Sequence, residues 1–209
     1  MIRFLRAFYF DVIITPIIWL VLGLNVRRGE LLPNNGPAII VANHNSHLDT
    51  MVIMVLLRNL LPIVKPVAAA DYFLKNKYIA WFALNIIGIV PIYRASGKDA
   101  LEPAKEALKK GNIIIIFPEG SRGEPGVMQE LKKGVSYLAK EFSDIPVIPI
   151  GLFGLCKALP KGEALLVPFF CDVYVDKALY GKPNPDEFND ELEAVFKRLH
   201  DEAEVQGCS

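Results

Sequence analysis

Two short stretches carry residue types fit for chemistry. In Asn43-His44-Asn45-Ser46-His47-Leu48-Asp49 a histidine and an aspartate stand five positions apart. In Phe117-Pro118-Glu119-Gly120-Ser121-Arg122-Gly123 a carboxylate, a hydroxyl and a guanidinium share a turn with two glycines. A carboxylate that holds a histidine by its Nδ1–H leaves Nε2 free to take a proton. On one regular helix, residues five apart point about 140° away from each other. The pair therefore meets only if His44 lies in a turn ahead of the helix. Ser46 is a suitable N-cap, and its spacing to Asp49 is that of a capping box. That places His44 before the helix and Asp49 in its first turn, where a chain folding back brings the two together.

Other readings of these residues stand beside this one. Asp49 could simply cap its own helix, with His44 a satisfied turn residue. His44, His47 and Asp49 could be metal ligands, but no third ligand stands at metalloprotease spacing and no glutamate follows the first histidine, so no metal is expected. His47 is expected to face elsewhere. Asn43 and Asn45 fit either turn formation or contact with a substrate. No Gly-x-Ser-x-Gly is present, and Ser46 is better used as a cap. A histidine–aspartate pair without a nucleophile implies that the activated hydroxyl belongs to the substrate, in a direct attack with no covalent enzyme intermediate.

The second stretch reads as a binding turn for an anion. Gly120 lets the backbone approach a ligand closely, and Ser121 and Arg122 offer a hydroxyl and a fork of donors. Arg94 ends the strand-like Gly88-Ile89-Val90-Pro91-Ile92-Tyr93, and Lys132 opens a helix after the Glu119 loop. Two arginines and a lysine at neighbouring strand exits would hold a phosphate. The plainer alternative is a surface turn with solvated charges.

The elements that must position these residues alternate. Apolar runs at residues 38–42, 64–70, 89–93, 113–117 and 147–150, and a stretch at 165–175 interrupted at Pro168, read as strands. Residues 46–60, 71–85, 98–110, 131–141 and 186–204 read as helices. The run of four isoleucines and a phenylalanine at 113–117 suits a strand buried on both faces. This alternation predicts an α/β fold, a mostly parallel sheet flanked by helices, with ligands at the carboxyl ends of the strands. Both chemical stretches sit at such ends.

At 209 residues the chain suits one domain with an adequate core. Lys plus Arg and Asp plus Glu each total 23, so bulk charge does not point to nucleic acid. The distribution is uneven. Residues 1–28 carry four arginines against Asp11, whereas residues 186–204 carry eight acids against Lys197 and Arg198. A basic apolar front and an acidic tail suggest a membrane side and a water side. The uncharged run at 12–24 is short for a spanning helix and holds Pro16. Residues 1–24 are therefore expected to be a half-inserted anchor of two short helical pieces, ahead of a single span or a buried helix, with residues 25–209 the catalytic domain. Residues 71–85 form a second aromatic stretch, expected to pack on the sheet rather than to add a lipid contact. Three scattered cysteines without C-x-x-C spacing fit a reducing compartment.

Four blocks in this order resemble the glycerolipid acyltransferase family, which acylates 1-acylglycerol-3-phosphate and related lysolipids. They are His-x-x-x-x-Asp at 43–49, the glycine–proline–arginine block at 88–94, Phe-Pro-Glu-Gly-Ser-Arg at 117–122, and the apolar Val147-Ile148-Pro149-Ile150. The resemblance implies that His44 is the general base and Asp49 its partner. It implies that Arg94, Glu119, Gly120, Ser121, Arg122 and Lys132 form the acceptor-binding side, and that the fourth block shapes the acyl-binding region. It also implies a lysophospholipid acceptor, an acyl-CoA or acyl-carrier-protein donor, no bound cofactor, and membrane association on the cytoplasmic face. After Arg122 the family often continues with a longer polar stretch and a Pro-Phe, where this chain has acids, which leaves the acceptor headgroup open. A thioester hydrolase using the same base, or a lipid-binding protein without catalysis, remain alternatives.

Overall fold

The computed structural model describes residues 1–46, 48–93, 100–121, 129–155 and 170–206. Among the described residues seven strands form one sheet in the order β1-β7-β6-β2-β5-β3-β4. These are β1 (Leu24–Arg27), β2 (Ala38–Ala42), β3 (Val64–Ala69), β4 (Val90–Ile92), β5 (Ile113–Ile116), β6 (Val147–Phe153) and β7 (Cys171–Val175). Neighbours run parallel except β6 and β7, which are antiparallel. The α/β layer with a mostly parallel sheet is thus the one the alternating pattern predicts. The strand expected at 165–175 is present as Cys171–Val175, and residues 156–169, with Pro168, lie outside the described residues.

The apolar runs form strands because both faces are covered. Along β2, Ala38, Ile40 and Ala42 face one core layer while Ile39 and Val41 face the other, and β5 alternates in the same way. Each isoleucine so buried contributes about 1.5–3 kcal/mol. One layer is supplied by the N-terminal helix and α3 (Asp49–Leu56); the other by α6 (Glu102–Lys109), α7 (Gly134–Glu141) and α8 (Pro185–Val205). The charged helix α8 turns Phe188, Leu192, Phe196 and Leu199 to the sheet. It is tied to the β1 edge by Arg28, whose guanidinium makes two bonds of 2.9 and 3.0 Å to Glu202.

At the N-terminus α1 (Ile2–Phe8), a π-helical turn (Tyr9–Ile14) and α2 (Thr15–Val21) follow one another with helical backbone at each junction. Pro16 does not break the run: it sits in the first turn of α2, directly after the π-helical turn in which the Thr15 N–H bonds Phe10 O. Phe10, Ile18 and Leu22 enter the core. Arg6 is buried, and its guanidinium donates to Val64 O and Ile87 O at 3.0 Å each. Gly88 makes room for it: its φ is +76°, and a Cβ there would lie 3.1 Å from the guanidinium. Among the described residues no helix is long and apolar enough to cross a membrane.

The helix expected at 71–85 is instead broken into α4 (Ala70–Phe73), α5 (Lys77–Phe82) and a π-helical turn (Ala83–Ile87). The physical reason is Asn76, whose side chain accepts from the amides of Tyr78 and Ile79 and starts a new helix there.

Candidate active site

β2 lies between β6 and β5, parallel to both, with Val41 beside Ile116 and Ala42 beside Ile150. The turns leaving β2 and β5 therefore emerge side by side at the carboxyl end of the sheet. The first carries His44, the second Glu119.

His44 is held from three directions. Its Nδ1 lies 2.8 Å from Asp49 Oδ2. The same oxygen accepts the amides of Asn45 at 2.7 Å and Ser46 at 2.8 Å. The backbone N–H of His44 donates to Glu119 Oε1 at 2.8 Å. Its ring stacks on Phe117, with centroids 4.1 Å apart and planes 20° from parallel. Asp49 is fully buried at the first position of α3. Its Oδ2 thus gathers three donors, the His44 ring and two backbone amides. With the carboxylate on Nδ1, the imidazole is the Nδ1–H tautomer, and Nε2 has no hydrogen-bond partner among the described residues.

The local reason differs slightly from a full capping box. Ser46 Oγ takes the amide of Leu48, at 3.3 Å, and Asp49 reaches back to the Ser46 amide. The chain folds back as the spacing predicts, and α3 begins only at Asp49.

Asn43 is not a substrate-touching amide here. Its side chain pairs with both backbone groups of Leu152, receiving from the N–H at 2.7 Å and donating to the C=O at 2.9 Å. This fastens the exit of β2 to β6. Sequence reasoning missed that role, since the partner lies 109 positions away.

Glu119 takes part in holding the His44 turn. The side chain turns inward to the His44 amide, and the residue is 2% exposed. Burial pushes its carboxyl pKa up, against the opposing pull of the His44 and Gln129 amides. The physical reason is the tight turn after β5, in which the Gly120 amide bonds Phe117 O at 3.1 Å. Gly120 has φ +72°, and Lys132 lies across it: a Cβ there would be 2.6 Å from Nζ. The Lys132 amide bonds Pro118 O at 2.9 Å, so the lysine is fixed to the same turn. Ser121 is exposed, its Oγ 3.4 Å from Gln129 Oε1. The structure thus gathers His44, Asp49, Glu119, Gly120, Ser121 and Lys132 at two adjacent strand exits. Arg94, Arg122 and His47 lie outside the described residues; Tyr93, just before Arg94, follows β4 at the same end of the sheet.

A proton acceptor beside a turn bearing a lysine suits transfer of a group to a hydroxyl on an anionic molecule. Comparison with known proteins bears on this. The family model described as Acyltransferase matches residues 23–152. The chloroplastic 1-acyl-sn-glycerol-3-phosphate acyltransferase of Arabidopsis thaliana is 32% identical over 76% of this chain and 44% of its own length. The corresponding alpha enzyme of Mus musculus is 30% identical over 61% of this chain and 44% of its own. The chain thus spans about half the length of the curated relatives it matches. The crystal structure of the 1-acyl-sn-glycerophosphate (LPA) acyltransferase PlsC from Thermotoga maritima superposes with a TM-score of 0.76 at 25% identity, over 95% of this chain and 78% of that one. With a family model matched over more than half its length, this chain belongs to the acyltransferase family.

Proposed function

We propose that the protein moves a fatty acyl group from a thioester to the free hydroxyl of a lysophospholipid, 1-acylglycerol-3-phosphate in the first place, giving phosphatidic acid. The observation that carries this is the His44–Asp49 pair at 2.8 Å, with no serine or cysteine bonded to the imidazole among the described residues. Nε2 takes the proton of the acceptor hydroxyl as its oxygen attacks the thioester carbonyl carbon. The tetrahedral intermediate collapses with loss of the thiolate, which takes a proton from the imidazolium or from water. The products are an ester and a free thiol, so the protein needs no bound cofactor. The donor is acyl-coenzyme A or an acyl-carrier protein.

Lys132, fixed over Gly120, is the described cation of the acceptor side. Arg94 and Arg122 join it on the sequence reading, and together they would match a phosphate. Ser121 offers a hydroxyl to the same headgroup. The fourth block, in β6 beside β2, supports an acyl-binding role through its position next to the His44 turn.

The acceptor lives in a bilayer, and the front of the chain suits a lipid surface. The helical run 2–21 buries one face and leaves Phe4 74% and Leu20 84% exposed, with Trp19 and Arg3 also outward. We read it as an anchor lying in the interface at the cytoplasmic face.

The test is a labelled acyl-CoA or acyl-carrier-protein thioester supplied with and without a panel of lysolipids. The expected result is labelled diacyl product only when a lysolipid is present, fastest with 1-acylglycerol-3-phosphate. Release of free acid at the same rate without any acceptor would mean a hydrolase, and binding without turnover a lipid carrier.

A further inference from the structure

The aromatic stretch after β3 is built as a surface. α5 buries none of its residues. Tyr78 is 71% exposed, and Ile79, Trp81 and Phe82 are exposed beside it. The helix is deliberately started by the Asn76 cap, so these side chains are held outward by ordered backbone. The next turn buries Ala83, Ile86 and Ile87, which fixes α5 to the body.

This surface continues that of the N-terminal helix. Tyr9 meets Phe82 edge to face, with centroids 5.2 Å apart, and Arg6 binds Ile87 O at 3.0 Å. Exposed Phe4 and Phe8 belong to the helical run that makes these contacts, and exposed Trp81 and Phe82 to the helix that receives them. Cations lie among them: Arg3, Lys75 and Lys77 are exposed, and the Lys77 ammonium sits 5.0 Å from the Tyr78 ring centre. Within residues 70–87 Asp71 is the only acid. Tyrosine, tryptophan and lysine side by side are the composition of a bilayer interface, where rings sit at headgroup depth and ammonium groups reach lipid phosphates. The core of a protein–protein interface is depleted of lysine.

We propose that residues 72–84 are a second membrane contact, forming with residues 2–21 one continuous surface that seats the protein on an anionic bilayer. This rests on the reading that the acceptor is drawn from a membrane. A surface built from two elements fixes the orientation of the domain on the lipid, which a single helix lying in the interface would not.

The chain has two tryptophans, Trp19 and Trp81, one on each contact. Trp19→Phe and Trp81→Phe therefore give full-length proteins whose fluorescence reports one contact each. They are mixed with phosphatidylcholine–phosphatidylglycerol vesicles whose acyl chains carry bromine. Both variants are expected to shift to the blue and to be quenched. Quenching of Trp19 with no effect on Trp81 overturns the proposal, whether water or a second copy of the chain covers that face. A Tyr78→Asp, Ile79→Asp double variant provides a second reading. Its vesicle partitioning should fall about ten-fold or more, while transfer to a short-chain lysophosphatidate below its micelle concentration stays at the wild-type rate. Unchanged partitioning overturns the proposal. The quenching is read without turnover, so wild-type protein that binds vesicles but transfers no acyl group would sink the functional reading alone.

Discussion

One carboxylate oxygen of Asp49 collects the His44 ring and the amides of Asn45 and Ser46. That oxygen sets both the tautomer of the base and the shape of the turn that presents it. Asp49→Asn keeps an oxygen for the three donors but removes the negative charge opposite the imidazole and sets an NH2 group in the buried place of Oδ1, which has no hydrogen-bond partner among the described residues. Turnover is expected to fall at least about 10²-fold, with a lower melting temperature; a variant with wild-type turnover would separate Asp49 from the chemistry. Glu119 acts on the same base through its main chain. Its carboxyl pKa is raised by burial, so the folded state holds the proton more tightly than the unfolded one. Stability attributable to this group is then lost as pH rises from the ordinary carboxyl range toward the raised value. Glu119→Gln keeps an acceptor for the His44 amide and lacks that slope. The melting temperature of wild type minus that of Glu119→Gln should fall as pH rises from about 4 toward neutrality; parallel curves would contradict the assignment. The His44–Asp49 pair was legible because its partners are five positions apart and the turn is local. The Glu119–His44 bond spans 75 positions, and no local pattern encodes it.

At the scale of elements, β2 and β5 were legible because burial on both faces demands continuous apolar residues. β1 was not: Leu24-Asn25-Val26-Arg27 is only partly buried at the edge of the sheet and directly follows the apolar N-terminal run. The antiparallel turn of β7 against β6 was equally hidden, since strand direction depends on pairing across the sheet. The continuity through Pro16 also differs from the two-piece anchor that a mid-helix proline suggests. Asn43 shows what such elements do for the site, because its amide completes the hydrogen bonding of Leu152 where β2 ends. Asn43→Ala leaves an N–H and a C=O unpaired in a buried position and should cost about 1–3 kcal/mol. It should also slow turnover by loosening the His44 turn. Chemical denaturation gives the first number and steady-state kinetics the second. Stability and turnover both at wild-type level would show that the clamp is dispensable.

Across the whole molecule, the sheet puts the base at one end of the strands while the apolar, arginine-bearing helix 2–21 lies along one face and the acidic helix α8 packs on the other. This polarity was visible in the uneven distribution of charge along the chain. The exposure of Tyr78, Ile79, Trp81 and Phe82 was not, because an aromatic helical pattern looks the same whether it faces a sheet or the outside. The proposed function turns on a single claim, that His44 removes the proton of a lysolipid hydroxyl. The direct measurement is the rate of labelled acyl transfer to 1-acylglycerol-3-phosphate by wild type and His44→Ala, at matched folding judged by melting temperature. The account predicts a loss of about 10²–10⁴-fold in turnover with the acceptor KM little changed. Transfer by His44→Ala at close to the wild-type rate would contradict it.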